Sequence, residues 1–316
     1  MLRYVLRRLV SLIPVLLGIS MVTFALIRLI PGDVVDLILG NEVAMGGERA
    51  AELRRLFGLD QPIYVQYLQW ASDVVRGDLG HSLRTGKPVL GEILGRLPTT
   101  IELTLFSLVF ALLIAIPMGI IAALKAGTRT EAGVQVLGLL GLSVPNFWLG
   151  TLLILLTSRY LGWFPAANYV PFSVDPWRNI QIFILPGIAL GAALAAITLR
   201  MTRSSLLEVL NREYVTTARA KGVAERQVIV RHALKNAMIP VVTVVGIQVG
   251  RLLGGAIIIE QVFNLPGIGR LAIDAIQQRD YTMIQGVVLF TTLAFVLINL
   301  AVDLLYAFID PRIRYS

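Results

Sequence analysis

Few side chains in this 316-residue protein are suited to making or breaking bonds. There are two histidines, His81 and His232, and no cysteine, which removes thiolate metal sites, a cysteine nucleophile and a disulfide framework. Neither His-Glu-x-x-His nor Gly-x-Ser-x-Gly occurs, and Gly-x-x-x-x-Gly-Lys-Ser/Thr, the loop that cradles nucleotide phosphates, is missing too. An intramembrane aspartyl protease would need two opposed Asp residues, and Asp303 is the one clear candidate. What stands out instead is a set of polar groups inside apolar runs: Gln248 and Arg251, about one turn apart in IQVGRLLGG, and Asn299 and Asp303, spaced i, i+4 in NLAVD. Desolvation makes such groups costly, so each is a candidate for lining a pathway. Arg251 would there attract a carboxylate, or else snorkel outward or pair with a neighbouring subunit. Asn299 and Asp303 would border an inner gate or fix helix packing through hydrogen bonds.

The elements that hold these groups follow from composition. With 56% apolar residues, only 15% charged and a mean hydropathy of +0.75, the apolar surface exceeds what one water-soluble core hides, and the chain reads as an all-α polytopic membrane protein. Six segments, about 9–30, 100–124, 133–158, 181–200, 237–259 and 284–309, are each long enough to cross a hydrocarbon core of roughly 30 Å as a helix. Pro14, Pro117, Pro145 and Pro186 fall inside them and are expected to be accommodated by bundle neighbours. The apolar part of the N-terminal segment runs on through MVTFALIRLI with no small-residue cleavage site, so it is expected to be a retained first span. Basic residues cluster before the first span (Arg3, Arg7, Arg8), after the second (Lys125, Arg129), between the fourth and fifth, and at the end (Arg312, Arg314). The positive-inside rule then puts both termini in the cytoplasm. It also accounts for the net charge of +8 without nucleic acid.

This gives a first span with its cytoplasmic N-terminus over 1–30, an extracytoplasmic helical loop over 31–98, and a core of five spans over 99–316 with a large inner loop at about 201–236. In the outer loop, Leu53, Leu56 and Phe57 form one helical stripe that ends near Gly58, and a second stripe of Ile63, Tyr67, Trp70 and Val74 starts after Pro62. This is either a helical cap on the spans or a platform for a partner arriving from outside. The inner loop, RMTRSSLLEVLNREYVTTARAKGVAERQVIVRHALKN, is too polar for lipid. Helix propensity is high through Arg212–Lys221, with Glu213 near the start, Arg219 and Lys221 near the end, and Gly222 as a left-handed terminator. Tyr214 and Ala218 share a face, while Thr216, Thr217, Ala218 and Ala220 keep the profile slim enough for another protein to approach closely. A second helix is expected from about Glu225 into span five.

This inner stretch resembles the cytoplasmic loop motif of bacterial ABC importer membrane subunits, Glu-Ala-Ala, three residues, Gly, then apolar-Pro. Here Thr216, Thr217 and Ala218 occupy the first positions, Gly222 the glycine, and Ile239-Pro240 the ending. The two threonines depart from the general motif, but REYVTTARAKG followed by RHALKNAMIPVVT is similar to the dipeptide and oligopeptide permease variant. LIRLIPGD, GDLGHSL, RLPTTIELTL, SVPNFWLG, LGWFPA, GGAIIIEQVFNLPGIGRL, RDY and NLAVDLLYAFIDPRIRY resemble that branch's B-type subunit along essentially the whole chain.

The resemblance implies a type I ABC importer permease fold in a bacterial inner membrane, paired with a C-type permease and two ATP-binding subunits and fed by an extracytoplasmic peptide-binding protein. The chain itself would be no enzyme and hold no cofactor or metal, with ATP and Mg bound by the ATPases. Residues Glu213, Tyr214, Thr216, Thr217, Ala218, Arg219, Ala220, Lys221 and Gly222 would couple to those ATPases. Tyr67, Trp70, Glu260 and Phe263 would meet the binding protein. Di- or oligopeptides are the expected cargo. The same build also moves nickel chelates, glutathione, murein peptides or sugars, and a membrane scaffold working without ATPases is the contrasting reading.

Overall fold

A computed structural model describes residues 2–28, 35, 51–52, 54–55, 59–162 and 169–309; within its helices, the side chains of 2–9, 11, 26, 27, 251, 253–255 and 303–309 lie outside the description. The described chain is helical: α1 (Leu2–Arg28), α2 (Ile63–Val75), α3 (Val89–Leu124), α4 (Arg129–Ser143), α5 (Asn146–Leu161), α6 (Pro176–Leu210), α7 (Glu213–Ala220), α8 (Glu225–Gln227), a π-helical segment (Val228–Leu234), α9 (Lys235–Val262), α10 (Ile268–Gln277) and α11 (Tyr281–Ile309). The expected stripe of Leu53, Leu56 and Phe57 and its stop at Gly58 fall outside the described residues, as does most of LGWFPA.

Among the described residues, four helices are long and apolar enough to cross a membrane: Val89–Leu124, Pro176–Leu210, Glu225–Gly250 and Tyr281–Val302. The expected first span is a helix as far as Arg28, with Leu12–Ala25 as its described apolar stretch. The single span expected over 133–158 is corrected. It is two helices, α4 and α5, bent by 103° at their junction. Steric conflict with the proline ring disfavours helical geometry in the residue before it. Val144 is accordingly extended (φ −88, ψ 121), and Pro145 becomes the N-cap of α5 instead of an interior residue. Pro14, Pro117 and Pro186 do lie inside helices, as expected.

The chain divides into two compact units, residues 1–96 with 271–296, and residues 97–270 with 297–316. In the first, the loop 78–88 is held to the start of α11 by buried Asp280. Its carboxylate accepts from Ser82 Oγ, from the Leu83 amide at 3.3 Å and from the Met283 amide at 3.2 Å, while Arg84 Nε donates to the Gln278 carbonyl at 2.9 Å. GDLGHSL and RDY, far apart in sequence, thus form one structure.

In the second unit α6 is the spine, the most deeply buried of the described candidate spans. Phe183, Ile182, Leu190 and Leu199 anchor the core with Leu103 and Ile259. Small residues let α3 come close: a Cβ on Gly191 would lie 2.6 Å from the Ser107 carbonyl oxygen, and one on Gly119 2.6 Å from Thr202 Cβ. In lipid, where no hydrophobic drive separates helix from solvent, such close backbone contact supplies the packing energy.

Candidate coupling site

The inner loop folds as a helical hairpin on the spine. α6 ends at Asn211, Arg212 turns extended (φ −77, ψ 145), and α7 runs from Glu213 to Ala220. The end of α7 is closed by the Val223 amide bonding back to the Ala218 carbonyl at 3.3 Å and the Gly222 amide to the Arg219 carbonyl at 2.9 Å, with Gly222 at φ +78. A left-handed residue is what that closure needs, and glycine adopts it without a Cβ penalty. Arg219 grips Glu225 through two hydrogen bonds of 2.7 and 3.1 Å across the turn. That hydrogen bond is also the first cause of the upward shift in the Arg219 pKa. Both side chains are exposed, so the pair fixes geometry more than it stabilises.

The expected second helix from Glu225 is corrected in kind: after three α residues it becomes π-helical for seven. π-helical bonds skip one residue further than α bonds, and the displaced carbonyls must find other donors. The His232 carbonyl accepts from Asn236 Nδ2 at 3.1 Å and lies 3.5 Å from Tyr214 Oη, which in turn accepts from Asn236 Nδ2 at 3.0 Å. Tyr214 therefore ties α7 to the π segment.

The root of this hairpin is buried. Val215 and Val228 are fully enclosed, and Ala123, Leu206, Ala233 and Ala237 form a small core beneath them. Ser205 Oγ donates to the Ala237 carbonyl at 2.8 Å, joining α6 to α9. Arg203 pairs with Glu131, which also accepts from the Gly127 amide at 2.6 Å, so the start of α4 is bound to the same root. By contrast Glu213, Thr216, Thr217, Arg219, Ala220, Lys221 and Gly222 are exposed, and Ala218 is half-buried. The hairpin is an open surface on a rigid stem. Val215, Arg203 and Glu131 were not singled out by the sequence; their signal was an apolar residue in a polar helix and two charges 72 positions apart, which only the fold pairs.

The expected pathway residues fall on neighbouring helices. Gln248 is half-buried on α9 and Asn299 half-buried on α11, and the two helices meet where Gly246 faces Val302 so closely that a Cβ would collide with it. Arg251 and Asp303 lie on the same two helices, with side chains outside the described residues. The expected docking residues are placed differently from a surface. Glu260 is fully buried: it accepts from Thr100 Oγ1 at 2.6 Å and from the Arg270 amide at 3.0 Å, while the Ile268 amide donates to Thr100 Oγ1 at 2.9 Å. Phe263 is buried against Gly150. Gly267 is required because a Cβ there would run into the Glu260 carboxylate. Tyr67 and Trp70 turn onto α1, with ring centroids 5.3 and 5.5 Å from Phe24. No group of three or more His, Cys, Asp or Glu able to hold a metal occurs among the described residues.

Residues 115–315 match the family described as the binding-protein-dependent transport system inner membrane component, and residues 1–104 match its N-terminal companion family. The dipeptide transport system permease protein DppB of Alkalihalophilus pseudofirmus is 46% identical, over the full length of both chains. The glutathione transport system permease protein GsiC of Escherichia coli is 45% identical, again over both full lengths. In fold, the chain resembles the inward-facing MetNI methionine ABC transporter, with a TM-score of 0.56 at 19% identity, covering 69% of this chain and 96% of that one.

Proposed function

This chain belongs to the family of binding-protein-dependent transport system inner membrane components, a permease subunit of an ABC importer and not an enzyme, and from that premise we propose that it carries peptides inward as the B-type half of a heterodimeric pathway. A C-type permease supplies the other half, two cytoplasmic ATP-binding subunits hold ATP and Mg, and an extracytoplasmic binding protein delivers the cargo. Both termini are cytoplasmic in this reading. Relatives named for dipeptides and for glutathione, itself a small peptide, support a peptide cargo. Identifying by mass spectrometry the ligand that co-purifies with the partner binding protein distinguishes the two.

The observation that carries the mechanism is the exposed α7 on its buried root. Closure of the ATPases around α7 pushes a rigid body, because Val215, the Tyr214 network and the Ser205 contact leave no slack between it and α6 or α9. Those two helices then move together, and the cavity between the permeases changes the side it faces. The outer loops, shaped from within by Glu260 and Phe263, receive the loaded binding protein.

Thr217→Arg places a bulky charge on the exposed face without touching the buried root. In proteoliposomes of the whole complex, binding-protein-stimulated ATP hydrolysis and uptake are expected to fall together by at least about tenfold, equivalent to about 1.4 kcal/mol of coupling. Undiminished stimulation with normal uptake overturns this assignment.

A further inference from the structure

We propose that α2 is seated in the outer leaflet of the bilayer, with Tyr64, Leu68 and Val75 in contact with lipid acyl chains. The proposal rests on the reading that α1 crosses the membrane.

Three faces of α2 carry the argument. Successive helical residues turn by about 100°, so Tyr67, Trp70 and Val74 form one stripe, and Tyr64, Leu68 and Val75 a second stripe roughly 100° to one side. Gln66, Gln69 and Asp73 lie about as far round on the other side. In the first stripe Tyr67 and Trp70 pack on Phe24 of α1, while Ile63 at the start of the helix stays 65% exposed. Among the described residues the second has no cover, with Tyr64 68%, Leu68 63% and Val75 87% exposed. The third is polar, and Gln66 accepts from Arg28 Nη2 at 2.7 Å.

Depth decides what covers the second stripe. Tyr67 Oη shares a hydrogen bond of 2.8 Å with Ser20 Oγ. Ser20 lies eight residues before Arg28, the last residue of α1, or about 12 Å down the helix. Around that level α1 exposes Leu17, Met21 and Val22, the apolar surface of a span. Arg28 stacks its guanidinium 3.5 Å from the Phe24 ring centroid and bonds Gln66, as a cation does where an apolar stem meets the headgroup layer. α2 therefore sits below the Arg28 level, alongside a stretch of α1 that also exposes apolar side chains. An amphipathic helix at that depth, polar on one edge and apolar on the other, lies in the interface plane.

The absence of native cysteine makes the test direct. Single-cysteine variants Tyr64→Cys, Leu68→Cys, Val75→Cys, Asp73→Cys and Met21→Cys are spin-labelled in the assembled complex, in vesicles of phosphatidylethanolamine and phosphatidylglycerol. Collision rates with oxygen, which partitions into lipid, and with a water-soluble nickel chelate are then measured. Labels at 64, 68 and 75 are expected to match that at 21, with oxygen favoured several-fold over nickel, while the label at 73 favours nickel. Nickel access at 64, 68 and 75 with lipid access at 21 overturns the proposal and leaves α1 as a span. Nickel access at 21 as well removes the reading beneath it. Protection from both reagents, constant or appearing only with the binding protein added, assigns the stripe to a protein partner and overturns the lipid assignment.

Discussion

A carboxylate without water is expensive unless donors surround it, and Glu260 shows how a loop is built on that requirement. Its Thr100 contact is doubly used, since the same hydroxyl donates to the carboxylate and accepts from the Ile268 amide. Thr100→Val keeps the shape and removes both roles, leaving a buried carboxyl group one hydrogen bond short and a buried amide without this acceptor. The complex is expected to lose about 1–3 kcal/mol, read as a lowered Tm of the purified assembly, with Thr100→Ser restoring it. An unchanged Tm in the valine variant refutes the role given to this hydroxyl. Sequence reading singled out Glu260 but placed the carboxylate where a partner would meet it, because burial is a property of the packed loop and is not visible in GGAIIIEQVFNLPGIGR.

Between α7 and α9 the chain carries an element that no hydrophobic period announces. Helix propensity and the Gly222 stop were legible as a short helix followed by another, and both are present. The change from α to π winding was not, because it depends on side-chain donors, Asn236 and Tyr214, reaching the His232 carbonyl from outside the ladder. The break at Pro145 was hidden for the opposite reason: several prolines sit in apolar runs, and among those described within the expected spans only this one follows an extended residue. Removing one residue from the exposed part of the π segment, Val230, should let the ladder return to α winding and turn α7 by about 100° relative to α9. The assembled complex is then expected to hydrolyse ATP without importing. Import at the parental rate would show that the winding carries no register between the two helices.

Across the whole molecule, composition carried most of the helical fold, since apolar length is additive along the chain and needs no tertiary knowledge. Contacts between distant segments, such as Ser82 with Asp280 or Arg203 with Glu131, lay beyond it. The topology is testable as a unit: His81→Cys is expected to react with an impermeant maleimide only from outside intact cells, and Lys221→Cys only after the inner face is opened. Labelling of both from one side would invert or break the proposed arrangement.

α6 has 35 residues, a rod of about 52 Å against a hydrocarbon thickness of roughly 30 Å. The surplus turns act as a spacer. Membranes with longer or shorter acyl chains would be absorbed in that spare length, leaving the height at which the motor subunits are met nearly constant.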